Sequence, residues 1–221
     1  MCLANSYKHE NRCVAGISLV TKKWVRLIGR QIPGCLTVKA TSFPGGREVG
    51  LLDVFEAEFD EKCSSNCHPE DAYVTGKPWE LIRRFDEPRD ARYLDAYVSK
   101  GPAILQGCSD RVYGRKIEGA AVEKSLELIH PEDLWWWVRE DVGKRRNRAL
   151  FRAGNAGRVR YDLAVTDPAW LVQLNLLPAG IYPHGFFFGG TPPRTLLTIS
   201  LSETFEGFHY KLVAAVLCLP A

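Results

Sequence analysis

Apolar and polar residues alternate with a period of two along several stretches of this sequence, and this alternation constrains the fold more than any other feature. It recurs in residues 22–28 and 53–59, and it is clearest where apolar residues interleave with Arg160 and Asp162: Val159, Tyr161, Leu163 and Val165. Successive side chains of a strand point to opposite faces. The pattern therefore predicts half-buried strands, with the four apolar residues inside and Arg160 and Asp162 outside.

Helical signals are fewer. Residues 78–85 begin with a proline, residues 90–100 have apolar side chains at helical spacing, and Thr166-Asp167-Pro168 supplies a cap and a proline before residues 168–177. Near the carboxyl end, residues 210–217 are apolar on both faces, as expected of a central strand. Strands and helices do not alternate regularly, so a parallel sheet is not expected.

These elements predict a mainly β protein with minor α content, built as two OB-like small barrels in tandem with helical insertions. We place the first unit at residues 1–110, with a helical insertion near 78–100, and the second at residues 111–221. A turn signal at Gly154–Gly157 is expected to join two strands of the second unit.

Composition indicates an ordinary globular chain, because 46% of its 221 residues are hydrophobic and 25% are charged. No apolar secretory signal opens the sequence, and no stretch is long enough to span a bilayer. The seven cysteines are odd in number and irregularly spaced. We therefore expect a cytoplasmic protein with reduced thiols and no membrane contact.

Positive charge is concentrated between residues 139 and 160, where Glu140 and Asp141 alone oppose eight basic side chains. Arginine pairs with phosphate in a bidentate manner, and exposed aromatic rings stack on bases. We therefore expect a single-stranded nucleic acid or a nucleotide to be the partner. The candidate contacts are Trp135, Trp137, Arg139, Lys144, Arg145, Arg146, Arg148, Phe151, Arg152, Arg158 and Arg160. The alternative is a solvated basic hairpin with tryptophans in the core, and alternation buries at least one of Trp135, Trp136 and Trp137.

A second cluster of small polar and basic residues lies near the amino terminus. It could hold a phosphate or the edge of a base. The alternative is an ordinary first strand and turn, with Cys13 in the core. The candidate pocket residues are Asn5, Ser6, Lys8, Arg12, Cys13, Trp24 and Arg26.

Signals for metal binding and catalysis are weak. Cys63, Cys67 and His68 are close in sequence, but structural zinc needs four ligands and no second pair stands at a suitable spacing. Cys13 could pair with His9 or His209, yet nothing indicates a third, orienting group. We expect no metal, no cofactor and no catalytic residues. We keep two alternatives: an enzyme that acts on a nucleotide or RNA through the amino-terminal cluster, and a protein-interaction module.

Several motifs together resemble a known family. They are Leu3–Lys8, Arg12–Gly16 and Trp24–Arg26, then Val165–Pro168, and finally Leu197–Glu203 with His209–Ala215. In this order they resemble the dual OB domain family of prokaryotic proteins, although Leu27 stands where a proline is expected and Ser202 where a glycine is. The resemblance implies two OB units and a role in nucleic-acid or nucleotide recognition within bacterial defence systems, with a possible protein partner. It supplies no list of catalytic residues.

Overall fold

The computed structural model describes residues 1–8, 10–30, 34–60, 67–86, 89–101, 103–105, 107–114, 122–153 and 159–219. The amino-terminal strands are β1 (Cys2–Lys8), β2 (Asn11–Ile17), β3 (Trp24–Ile28), β4 (Val54–Glu56), β5 (Asp71–Tyr73) and β6 (Glu80–Arg83). The later strands are β7 (Arg111–Tyr113), β8 (Leu126–Ile129), β9 (Glu132–Asp141), β10 (Lys144–Ala153), β11 (Val159–Val165), β12 (Gly180–Pro183), β13 (Thr195–Phe205) and β14 (Phe208–Cys218). Within the described residues, the α-helices are α1 (Arg89–Asp95) and α2 (Pro168–Asn175), and Lys39–Thr41 and His184–Phe188 form 3-10 helices.

The strands pair in three sheets, which confirms the mainly β fold class. The amino-terminal sheet has the order β1-β2-β3-β5, and β4 pairs separately with β6. The large, eight-stranded sheet has the order β12-β9-β10-β11-β14-β13-β8, with β7 also pairing with β14. Within the described ranges these sheets are open rather than closed into barrels. Most pairs are antiparallel, but β3 pairs with β5 and β11 with β14 in parallel. These parallel pairs were not expected from the sequence, because strands and helices do not alternate regularly.

The large sheet buries one face in the main core. On β11, Tyr161, Leu163 and Val165 are buried while Arg160 is exposed and Asp162 half-buried, which confirms the predicted alternation. β14 lies between β11 and β13, and its residues 213–217 are all buried. The expected central strand is therefore confirmed.

The other face of the large sheet is partly covered by the amino-terminal sheet. Leu3 and Ile17 share one core with Leu196 and Leu217. Beside it, alanines of β1, β2 and β14 pack together. Such small side chains permit the backbones of the two sheets to approach closely. The division into units at residues 110 and 111 stays a prediction.

The predicted helix at residues 78–85 is wrong. Residues 80–83 form β6, which pairs with β4. Trp79 is buried and stacks on Phe55, with ring centroids 5.0 Å apart. Burying this indole beside β4 aligns the chain as a strand, so tertiary packing overrides the local proline signal.

Both other predicted helices are present. α1 ends at Asp95, earlier than expected, and α2 begins as predicted after Asp167, whose side chain accepts a hydrogen bond from the Trp170 amide. No helix in the described part of the chain is both long and apolar enough to cross a membrane.

A buried histidine should make the stability of the fold depend on pH. His184 Nδ1 accepts from Trp136 Nε1 at 3.1 Å, so Nε2 carries the proton and donates to Thr195 Oγ1 at 2.8 Å. Burial lowers the pKa of His184 to about 4. This value lies below the ordinary 6.5, so folding favours the neutral ring. The contribution of His184 to the free energy of unfolding is therefore complete above pH 6.5, and up to about 3 kcal/mol of it is lost as the pH falls toward 4.

We expect His184→Gln, which keeps a donor for Thr195, to lose less stability than the parent between pH 7 and pH 4.5. Chemical denaturation at both pH values measures the difference. Equal losses for the two proteins would contradict the assignment of this acid sensitivity to His184.

Candidate nucleic-acid interface

The face of β9, β10 and β11 opposite the main core is open to solvent and rich in basic and aromatic side chains. Register pairs Arg148 with Trp137 on one side and with Ala164 on the other, which fixes the residues that share this face. We call it the basic face. It comprises Trp135, Trp137, Arg139, Asp141, Lys144, Arg146, Arg148, Leu150, Arg152, Arg160 and Asp162.

The two tryptophans of the basic face differ from the one between them. Trp135 is 43% exposed and Trp137 is half-buried, whereas Trp136 is fully buried against Trp170. The Arg139 guanidinium lies 4.8 Å from the centre of the Trp137 ring. The prediction that alternation buries at least one of the three is confirmed, and it leaves two indoles beside basic groups.

Acidic side chains neutralise part of the positive charge. Arg148 pairs with Asp162, Arg152 pairs with Asp133, and Asp141 is shared by two arginines, Arg139 and Arg146. Two further basic residues, Lys144 and Arg160, make no ion pair within the described residues. Six basic groups thus face three acidic partners, so the basic face keeps a net positive charge.

Two predicted contact residues lie elsewhere. Phe151 is buried and stacks on Tyr161 in the core, with ring centroids 5.6 Å apart. Arg145 donates to the carbonyl oxygens of Leu174 and Leu177 at the end of α2. Both have the opposite strand parity from Arg146 and Arg148, so neither reaches the basic face, and these two expectations are corrected. Arg158 and the predicted turn at Gly154–Gly157 lie outside the described residues.

The amino-terminal cluster is divided by the structure. Asn5 and Arg12 both bind Glu48, at 3.0 Å and 3.1 Å, and Trp24 packs against the cores between the sheets. These three residues do not line the cavity that the other four candidates line. The expectation that all seven form one pocket is therefore corrected. The remaining four line a common cavity: Ser6, Lys8, Cys13 and Arg26.

That cavity, which we call the junction cavity, lies between the amino-terminal sheet and the large sheet. Its volume is about 480 Å³, and the large sheet contributes Ser200, Ser202, Tyr210 and Leu212 to its lining. Neither His68 nor Asp71, which also line it, was among the predicted site residues. Sequence spacing could not find them, but the family motifs at residues 197–203 and 209–215 contain Ser200, Ser202, Tyr210 and Leu212.

Arg26 is the central polar group of the junction cavity. Its Nη1 lies 3.3 Å from Asp71 Oδ1, and its Nη2 donates to Ser125 Oγ at 2.9 Å and to Ser200 Oγ at 3.2 Å. Burial raises the pKa of Asp71 to about 6 and lowers the pKa of His68 to about 3. The neutral His68 ring lies 3.1 Å from the Leu201 carbonyl oxygen through Nε2.

A second cavity, of about 630 Å³, lies between β2 and β4 and is lined mostly by apolar side chains such as Val14, Val54 and Phe59. It brings together no cluster of basic and polar groups comparable to that around Arg26. We therefore centre the candidate site on the basic face and the junction cavity.

The residues considered for metal binding and catalysis lie apart or outside the described part. Cys63 and His9 are outside it, and no cluster of three metal-ligating side chains occurs in the ranges that are described. Burial raises the pKa of the Cys13 thiol, which disfavours the thiolate that a nucleophile requires. His209 is buried and engages Ser202 O and Thr204 Oγ1. The expectation of no bound zinc stays a prediction.

Comparison with known proteins gives one finding on the family. Residues 1–216 match the Dual OB-containing domain. Neither a curated protein nor a solved structure gives a significant match.

Proposed function

Because the chain belongs to the Dual OB-containing domain family, and OB folds commonly bind nucleic acids, we propose that it binds single-stranded nucleic acid on the basic face. The observation that carries this proposal is the alignment of Trp135 and Trp137 beside the arginines of β10 on one open sheet face. Bases stack on such rings, while the neighbouring guanidinium groups pair with phosphates.

The ion pairs of the basic face are compatible with this role. Arg146, Arg152 and their carboxylate partners are substantially exposed. Exposed ion pairs contribute about 0–1 kcal/mol each. Phosphates of a bound strand can therefore replace the carboxylates at small cost, and the acidic partners hold the guanidinium groups in position until then.

The wider role that we propose rests on the resemblance to the family. That resemblance implies a place in bacterial defence, with a protein partner, and the sequence favours the cytoplasm. Binding of a free nucleotide, in place of a strand, is the alternative.

We expect the triple variant Arg146→Ala, Arg148→Ala and Arg152→Ala to bind short single-stranded RNA or DNA more weakly than the parent. For each phosphate that the variant no longer neutralises, the dependence of log affinity on log salt should flatten by roughly 0.7. Titrations of a labelled oligonucleotide at two salt concentrations measure both effects, and a thermal melt of each protein checks the fold.

The matched control is the triple variant Arg30→Ala, Lys77→Ala and Arg194→Ala. These basic residues are exposed and ion-paired, with Asp60, Glu58 and Asp95, so the control removes the same charge outside the basic face. It should bind with nearly the parent salt slope. An equal weakening by both triple variants, or no binding by the parent at low salt, would overturn the proposal.

A further inference from the structure

The basic face continues directly into the junction cavity. Register places Trp137, Arg148, Ala164, Leu212 and Ser200 side by side on five consecutive strands of the large sheet. Neighbouring strands lie about 4.8 Å apart, so this row extends for about 19 Å. Its first two residues belong to the basic face, and its last two line the junction cavity.

The row enters the cavity where the amino-terminal sheet covers the large sheet. The Tyr7 amide donates to the Thr166 carbonyl oxygen at 3.0 Å, which fixes β1 against the end of β11. Leu212 and Ala214 give the cavity an apolar floor, and Arg26 and Asp71 stand on the amino-terminal side. A chain lying along the basic face thus reaches a partly enclosed compartment without leaving the sheet.

The charges lining this compartment balance one another. Lys8 pairs with Glu203 at 2.6 Å, and Arg26 pairs with Asp71 at 3.3 Å. A phosphate gains little from such a neutral site, in contrast to the basic face. A neutral ligand with both donors and acceptors on its edge fits better.

Aromatic rings also line the cavity. Phe205 is 62% exposed and lies 6.3 Å from Tyr210 between ring centroids, and Tyr7 is exposed as well. Such accessible rings offer faces for stacking by a planar ligand. The volume of about 480 Å³ lies within the roughly 300–1,000 Å³ usual for small-molecule sites.

One buried donor of a residue that lines this cavity has no partner. The Arg26 side chain is only 4% exposed, yet its Nε has no hydrogen-bond partner among the described residues. Buried donors are nearly always paired in folded proteins. A carbonyl oxygen or ring nitrogen on the edge of a ligand would satisfy this group, and the Asp71 carboxylate beside it would accept from an adjacent amino or imino group.

We propose that the junction cavity binds one nucleobase, with its edge against Arg26 and Asp71 and its face against Phe205. The base belongs either to a strand held on the basic face or to a free nucleoside or nucleotide. The first case rests on the function proposed above. Phosphate recognition and base recognition are then performed by two adjoining parts of one sheet.

The test compares Phe205→Ala with the parent in titrations with free nucleosides and with a short single strand. Removing the stacking ring should weaken binding roughly 5- to 150-fold. Phe205→Trp, which keeps an aromatic face, should retain binding. Phe59→Ala is the matched control, because Phe59 is 42% exposed and lines the other cavity; it should leave both affinities unchanged.

The triple variant Arg146→Ala, Arg148→Ala and Arg152→Ala, which we call the β10 triple variant, separates this proposal from the proposed function. Binding of free nucleosides that is lost in Phe205→Ala but kept in the β10 triple variant supports the cavity, even if no strand binds to the basic face. Nucleosides that fail to bind, together with a strand affinity that falls in Phe205→Ala, support a base delivered by the strand. Equal affinities of Phe205→Ala and the parent for every probe would overturn the cavity proposal while leaving the basic face intact.

Discussion

Replacing Trp136 by alanine should lower the free energy of unfolding by about 3–5 kcal/mol, the usual cost of deleting a large buried aromatic side chain. Trp136 is fully buried, its ring centroid lies 4.8 Å from that of Trp170, and its Nε1 donates to His184. The substitution leaves a cavity in the main core and removes the donor that His184 Nδ1 requires.

The adjacent residue supplies the control. Trp135 stands on the opposite face of the same strand and is 43% exposed, so Trp135→Ala should change stability by at most about 1 kcal/mol. If Trp135 stacks on a base, the same substitution should instead cost about 1–3 kcal/mol of affinity for a single strand. Urea denaturation and strand titration of both variants distinguish the two roles. Similar losses of stability for both variants would contradict the assignment of the two indoles to opposite faces.

Local pattern was sufficient where the side-chain alternation of a single strand decides the structure. The alternation at residues 159–165 predicted β11, and the apolar run at 210–217 predicted a central strand. The same rule applied more strictly would have corrected Phe151. It has the parity of Ala149 and Ala153, not that of Arg148 and Arg152, so the basic side chains and this ring could not share a face.

Contacts between distant parts of the chain were beyond local pattern. Arg26, Asp71 and Ser200 meet only because the amino-terminal sheet covers the large sheet, and no spacing in the sequence encodes that arrangement. The segment after Pro78 shows the same limit, since the burial of Trp79 against Phe55 decided its conformation. The acidic partners Asp133 and Asp162 were likewise missed, because they pair with arginines across strands rather than along the sequence.

Asp167 joins a helix to the central strand and should be among the most sensitive positions in the protein. Its Oδ1 accepts from the Trp170 amide at 3.1 Å, which caps α2, and its Oδ2 accepts from the Val216 amide at 2.8 Å. The residue is only 3% exposed, so water cannot replace the carboxylate. Asp167→Ala leaves two amide donors unpaired, each at about 1–3 kcal/mol, and should therefore destabilise the protein by about 2–6 kcal/mol.

Asp167→Asn is the matched control, because it keeps one acceptor oxygen at nearly the same volume. It should retain the cap of α2 and lose only the bond to Val216, with a stability between those of the parent and the alanine variant. Chemical denaturation of the three proteins gives the order. Since Val216 belongs to β14, hydrogen exchange at its amide should be faster in both variants, whereas the Trp170 amide should exchange faster only in Asp167→Ala. Unchanged exchange at both amides in Asp167→Ala would show that the carboxylate does not connect the helix to the strand.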